Sequence, residues 1–108
     1  MQQLAHEESL EGLVAGSSVL LLEFGSRTCA PCAALRRRAD AWLADHPDVV
    51  GRYVPVEEFR EESAQFGVLS APAMRAYVGG LLVASDQGYF SLDLLLERLE
   101  RAMALAFG

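Results

Sequence analysis

A chain of 108 residues, 52% of them hydrophobic, is long enough for one core of its own and too short for a two-domain machine, so residues 1–108 are read as a single domain. The formal charge is −6, and all nine basic residues are arginine; such a surface repels phosphate backbones and anionic lipid, which argues against nucleic acid or membrane as partners. No apolar run approaches the ~20 residues needed to cross a bilayer.

The opening segment MQQLAHEESLEG has neither the basic region nor the apolar stretch of a secretory signal, and the expected location is cytoplasmic. Residues 4 to 15 carry Leu4, Leu10, Leu13 and Val14 at helical spacing, with Gly16 as a stop. The run VLLLEF, 19 to 24, is apolar on both alternating faces except at Glu23, the pattern of a buried central strand. A helix is expected from about Cys29 to Asp45, with Leu35, Ala39, Trp42 and Leu43 as its inner stripe and His46-Pro47-Asp48 as its end.

A second strand is expected over VVGRYVPV, 49 to 56, where Pro55 marks an edge, a bulge or the strand end. A short polar helix follows over 58 to 66, stopped by Gly67. Next, AMRAYVGGLLVAS alternates around Gly79-Gly80, a hairpin turn signature. Ser91 caps a final helix whose stripe runs through Leu92, Leu95, Leu96, Leu99 and Met103. Strands joined through helices are expected to be parallel and the hairpin antiparallel. The expected fold class is α/β, a mixed sheet of four to five strands with helices on both faces. Cys29 then lies at the carboxyl end of the first core strand, where open α/β sheets place their sites.

The two cysteines, Cys29 and Cys32, enclose Ala30 and Pro31. In a reducing compartment a lone pair is catalytic or metal-binding more often than structural. At a helix start one turn brings the two sulfurs together, and the first lies beside unpaired N–H groups and the positive dipole end, which favour thiolate. That makes Cys29 the better nucleophile and Cys32 the resolving thiol, with Pro31 tolerated in the first turn. Zinc is a competing use, but His6 and His46 are isolated and a second Cys-x-x-Cys is missing, so no metal is expected. Packing as two small apolar residues is the remaining alternative.

Glu23 is the other residue out of pattern. A carboxylate in an apolar strand is costly to desolvate and responds with a raised pKa or a partner. It is a candidate proton acceptor for Cys32; otherwise its side chain reaches water or Arg52. The arginines at 36 to 38 are read as a solvated helix face, while Arg27 and Thr28, just before Cys29, are candidates to touch a substrate.

These residues resemble the thioredoxin family. LLLEFGSRTCAPC is similar to its strand-loop-helix around Cys-Gly-Pro-Cys, FGVLSAPAMRAYVGG is similar to its proline segment, strand and glycine turn, and Gly88 falls at its loop glycine. The resemblance implies a thioredoxin-like fold with Pro72 as a cis-proline against the cysteine pair and Ala71 offering its backbone to an extended substrate. It frames a groove with Arg27, Thr28, Ala30, Pro31, Ala71, Pro72 and Tyr89, catalytic roles at Cys29, Cys32 and Glu23, and no organic cofactor. It also implies protein disulfide clients and an electron donor that is a separate reductase or a low-molecular-weight thiol. Alternatives are a thioredoxin-fold interaction module with little turnover and a redox sensor. The chain departs from the family where Glu23 replaces an aspartate, Gly25 and Thr28 replace two tryptophans, and Arg37 replaces the helix-kinking proline.

Overall fold

The computed structural model describes residues 1–108. In chain order the elements are β1 (Gln2–Gln3), α1 (Leu10–Gly16), β2 (Val19–Gly25), α2 (Ala30–Ala44), β3 (Val50–Pro55), α3 (Arg60–Gln65), β4 (Ala73–Val78), β5 (Leu81–Gln87) and α4 (Leu92–Phe107). The five strands form one sheet in the order β1-β3-β2-β4-β5. β1, β3 and β2 are parallel, β4 is antiparallel to β2, and β5 is antiparallel to β4.

Every residue of β2 is buried, as its two-sided apolar run requires of a central strand. Leu20, Leu22 and Phe24 face a cluster with Leu4, Leu10, Val54, Phe59 and Val68, on the side of α1 and α3. Val19 and Leu21 face Ala39, Met74, Leu92, Leu95 and Leu99, on the side of α2 and α4. Glu23 shares that second face by alternation. Trp42 Nε1 donates to Glu100 at 2.7 Å and Arg38 to Asp93 at 2.7 Å, tying α2 to α4 at the rim. Ser91 caps α4 as expected, accepting from the Leu94 amide at 3.2 Å. Gly79 and Gly80 have φ of +57° and +82°, the positive angles that a tight hairpin turn between β4 and β5 demands.

Two expectations are corrected. The helix read from residue 4 begins only at Leu10, because Ser9 caps it by accepting from the Gly12 amide at 2.9 Å. Leu4 belongs to the strand side instead, its amide donating to the Tyr53 carbonyl at 2.8 Å. The leucines share a core through tertiary packing, not through one helix. The second correction concerns β3 and β4, which are joined through a helix yet run in opposite directions. The connection, residues 56–72, holds α3 and the cis Ala71–Pro72 peptide and returns the chain to the end of the sheet that it left. Pro55 is the last residue of β3, where no ladder donor is lost.

Candidate functional site

The carboxyl end of β2 runs into α2 through Ser26 to Thr28, and Cys29 takes the cap position before the helix. Pro31 lies in the first turn, where a missing N–H leaves no bond unmade. Cys29 and Cys32 are joined as a disulfide with their Cα atoms 5.4 Å apart. Cys29 is half-buried, whereas Cys32 is buried under the first turn. Only the first sulfur is thus presented outward, beside the unpaired amides of the helix end.

A cleft of about 280 Å³ opens beside it, lined by Thr28, Ala30, Pro31, Ala71, Pro72 and Tyr89 together with Cys29 and Gly88. The Ala71–Pro72 peptide is cis, and the Pro72 carbonyl accepts from the Gly88 amide at 2.9 Å. Neither the amide nor the carbonyl of Ala71 is engaged in a backbone hydrogen bond. Tyr89 is fully exposed at the cleft mouth, and Leu69 projects into solvent on the same loop as Ala71.

Arg27 is not brought into this cleft. Its amide donates to Glu57 Oε2 at 3.0 Å and its Nε stands 4.0 Å from the same oxygen, on the other flank of the loop. That amide holds the Glu57 carboxyl below its ordinary pKa. Glu57 thereby ties the end of β3 to the loop that presents Cys29, a partnership across thirty residues that the local sequence does not reveal. Glu57→Ala should loosen the loop and slow alkylation of Cys29 in the reduced protein a few-fold, with Glu57→Gln in between because an amide oxygen still accepts. Equal iodoacetamide rates in all three proteins would refute that tie.

Glu23 is wholly buried, and neither of its carboxyl oxygens has a hydrogen-bond partner. Arg52 is not its counter-ion: that guanidinium is held by Glu8, with Nη2 3.0 Å from Oε2. Burial is the main cause that pushes the Glu23 pKa up, to about 8, with Arg36 opposing the shift and Asp40 adding to it. Such a group stays protonated near neutral pH and can take up or release a proton there.

The arginine run divides by helical position. Arg37 is exposed and Arg38 pairs with Asp93, as a solvated face requires. Arg36 instead turns inward, its Cζ 4.2 Å from the Tyr53 ring centroid and its Nη2 donating to the Met1 carbonyl at 2.9 Å. Its spacing of four from both Cys32 and Asp40 is the signal that sets it apart.

No protein-family profile matches the chain. A thioredoxin of Alicyclobacillus acidocaldarius is 26% identical over 84 residues, spanning 77% of this chain and 80% of that protein. Among solved structures, a Plasmodium falciparum thioredoxin superposes with a TM-score of 0.79 at 17% identity, over 94% of this chain and 98% of that one. A chain from work on thiol resolution in a yeast mitochondrial 1-Cys peroxiredoxin by the glutathione and thioredoxin systems gives 0.82 at 17% identity, over 94% of each. The observed fold is the one that the sequence resemblance implied.

Proposed function

We propose that this chain, a thioredoxin-like thiol-disulfide oxidoreductase, works in the cytosol as a reductant of protein disulfides. The observation that carries the reading is the Cys29–Cys32 pair closed at the start of α2, its first sulfur facing a cleft beside the unengaged backbone of Ala71. No helix is long and apolar enough to cross a membrane.

In the dithiol form the Cys29 thiolate attacks one sulfur of a client disulfide. An S–S bond forms between Cys29 and the client, and the second client sulfur leaves as thiolate and takes a proton. In the ionised form of Glu23, a minority below its raised pKa, the buried Cys32 thiol gives its proton to that carboxylate and attacks the Cys29 sulfur. The mixed disulfide breaks, the client sulfur leaves as thiolate and takes a proton from solvent so that the client departs as a dithiol, and Cys29–Cys32 is left oxidised. Two electrons pass to the client, and a separate reductase or small thiol restores them. Ala71 pairs its backbone with an extended client while Thr28, Ala30, Pro31, Pro72 and Tyr89 wall the cleft, so affinity comes with little side-chain selectivity.

The test is the equilibrium reduction potential of the pair, read by alkylation mass shift in graded dithiothreitol buffers. The expected value lies near the roughly −270 mV of thioredoxin; one near about −120 to −180 mV would replace reductase work with oxidase or isomerase work. A second reading, an interaction module, is favoured by the exposed Tyr89 and Leu69 around the cleft. Equal capture of partners by the wild type and a Cys29→Ser/Cys32→Ser protein would select it.

A further inference from the structure

A buried acid that trades a proton in each cycle needs a boundary with water, and the structure has one of unusual composition. The register of β2 and β3 sets Tyr53 directly beside Glu23 on the same face of the sheet. From there the phenol ring runs over Gly25, where an added Cβ would overlap ring atoms. Arg36, one turn beyond Cys32, lays its guanidinium on the ring. Outside this pair is a cleft of about 260 Å³ bounded by Gln3, Arg27, Glu57 and Glu58.

We propose that Tyr53 and Arg36 form the lid of the Glu23 compartment, the ring keeping water off the carboxyl and the guanidinium holding a positive charge against it. Both are positioning residues that act through Glu23. Their contribution to turnover rests on the reading of Glu23 as proton acceptor; the lid itself does not.

The charges around the carboxyl support this assignment. From α2 it is faced by Arg36 and Asp40, from the segment before β1 by the Met1 ammonium, from β3 by Tyr53, and across β4 by the uncharged Met74. The ammonium and Asp40 form an ion pair with each other. Arg36 has no such carboxylate partner, and its hydrogen bond goes to a main-chain carbonyl. An unpaired guanidinium thus stands by an unpartnered carboxyl. Tyr53 bears the mark of the same enclosure, its pKa raised by burial first and by the Glu23 charge second. Gly25 is a condition of the lid, because any side chain there takes the space of the ring.

The test follows the Glu23 carboxyl by carbon NMR in the oxidised protein, where no thiol titrates. Tyr53→Ala should admit water and lower the midpoint by about one pH unit. Arg36→Gln should withdraw the cation and raise it by about half a unit or more, the opposite direction. Tyr53→Phe keeps the ring and should leave the midpoint in place. Shifts of the same sign in the alanine and glutamine variants, or none in either, would overturn the lid, as would a shift in Tyr53→Phe equal to that in Tyr53→Ala. If Tyr53→Ala does not fold, Tyr53→Leu, which removes the ring but keeps an apolar side chain, takes its place in each of these comparisons. The resolving step is timed separately: midpoints that move while its pH profile stays fixed support the lid and remove Glu23 from proton transfer.

Discussion

Cys29→Ser is expected to abolish disulfide reduction, a loss of at least about a thousandfold, while Cys32→Ser binds its clients covalently and stalls. A hydroxyl is a far weaker nucleophile toward sulfur than a thiolate. The remaining thiol in Cys29→Ser does not replace it, because Cys32 is buried beneath the first turn of α2 and only 2% exposed. In Cys32→Ser the outward sulfur still attacks, and what is lost is an intramolecular displacement across one helical turn. That step has the advantage of a reactant held in place, which no dilute external thiol matches. The mixed disulfide therefore accumulates, visible as a client-sized mass increase on a non-reducing gel that dithiothreitol removes. Cys32→Ala serves as a control for the burial of a serine hydroxyl, which itself costs about 1–3 kcal/mol if unpaired. Covalent trapping by Cys29→Ser, with none by Cys32→Ser, would reverse the order of the two thiols.

The difference in burial of the two cysteines was not legible in the sequence; the position of Cys29 at the open end of α2, with Cys32 one turn on, was legible because a helix start is a local event. So were β2, from an apolar run with no polar face, the Gly79-Gly80 hairpin, and the stripe of α4. Lateral relations were not. The direction of β4 depends on the path of residues 56–72 as a whole, and hydrophobic period says nothing of that. Leu4 and Leu10 have the spacing of one helix yet reach the same cluster from a strand side and a helix. Arg36 was hidden in a run whose other two members are solvated. The placing of Tyr53 beside Glu23 and over Gly25 arises from parallel register, which pairs residues thirty positions apart with no trace in either segment. Arg27 looked like a cleft residue by adjacency to Cys29, but its amide is claimed by Glu57 from the other side.

Glu23→Leu is expected to make the protein more stable and worse at its task. With the Glu23 pKa raised to about 8, the folded protein keeps a proton that the unfolded chain releases above its ordinary carboxylate value. Between about pH 4.5 and pH 8 the folded state thus binds more protons than the unfolded one, and stability falls as pH rises, by about 1.4 kcal/mol per pH unit. The fall ends above the folded pKa, where both states have lost the proton, and across the window it amounts to something on the order of 5 kcal/mol. Leucine does not titrate, so urea unfolding of the oxidised variant should lose this slope and exceed the wild type most at alkaline pH. Glu8 and Glu57 act on the other side of the scale: their pKa values are lowered, by the Arg52 hydrogen bond and by the Arg27 amide, so what they add is present above the unfolded carboxylate value and lost at lower pH. They do not mask the effect. A wild type as flat as the variant between pH 5 and 9 would mean that Glu23 is hydrated or paired in solution. On the proposed mechanism the same substitution also removes the proton acceptor of Cys32, so the resolving step should slow while Cys29 still attacks. An acid buried without a partner in β2 serves the core less well than an apolar residue would, and a stability gain in Glu23→Leu paired with a slower resolving step is the result expected of a group kept for proton transfer.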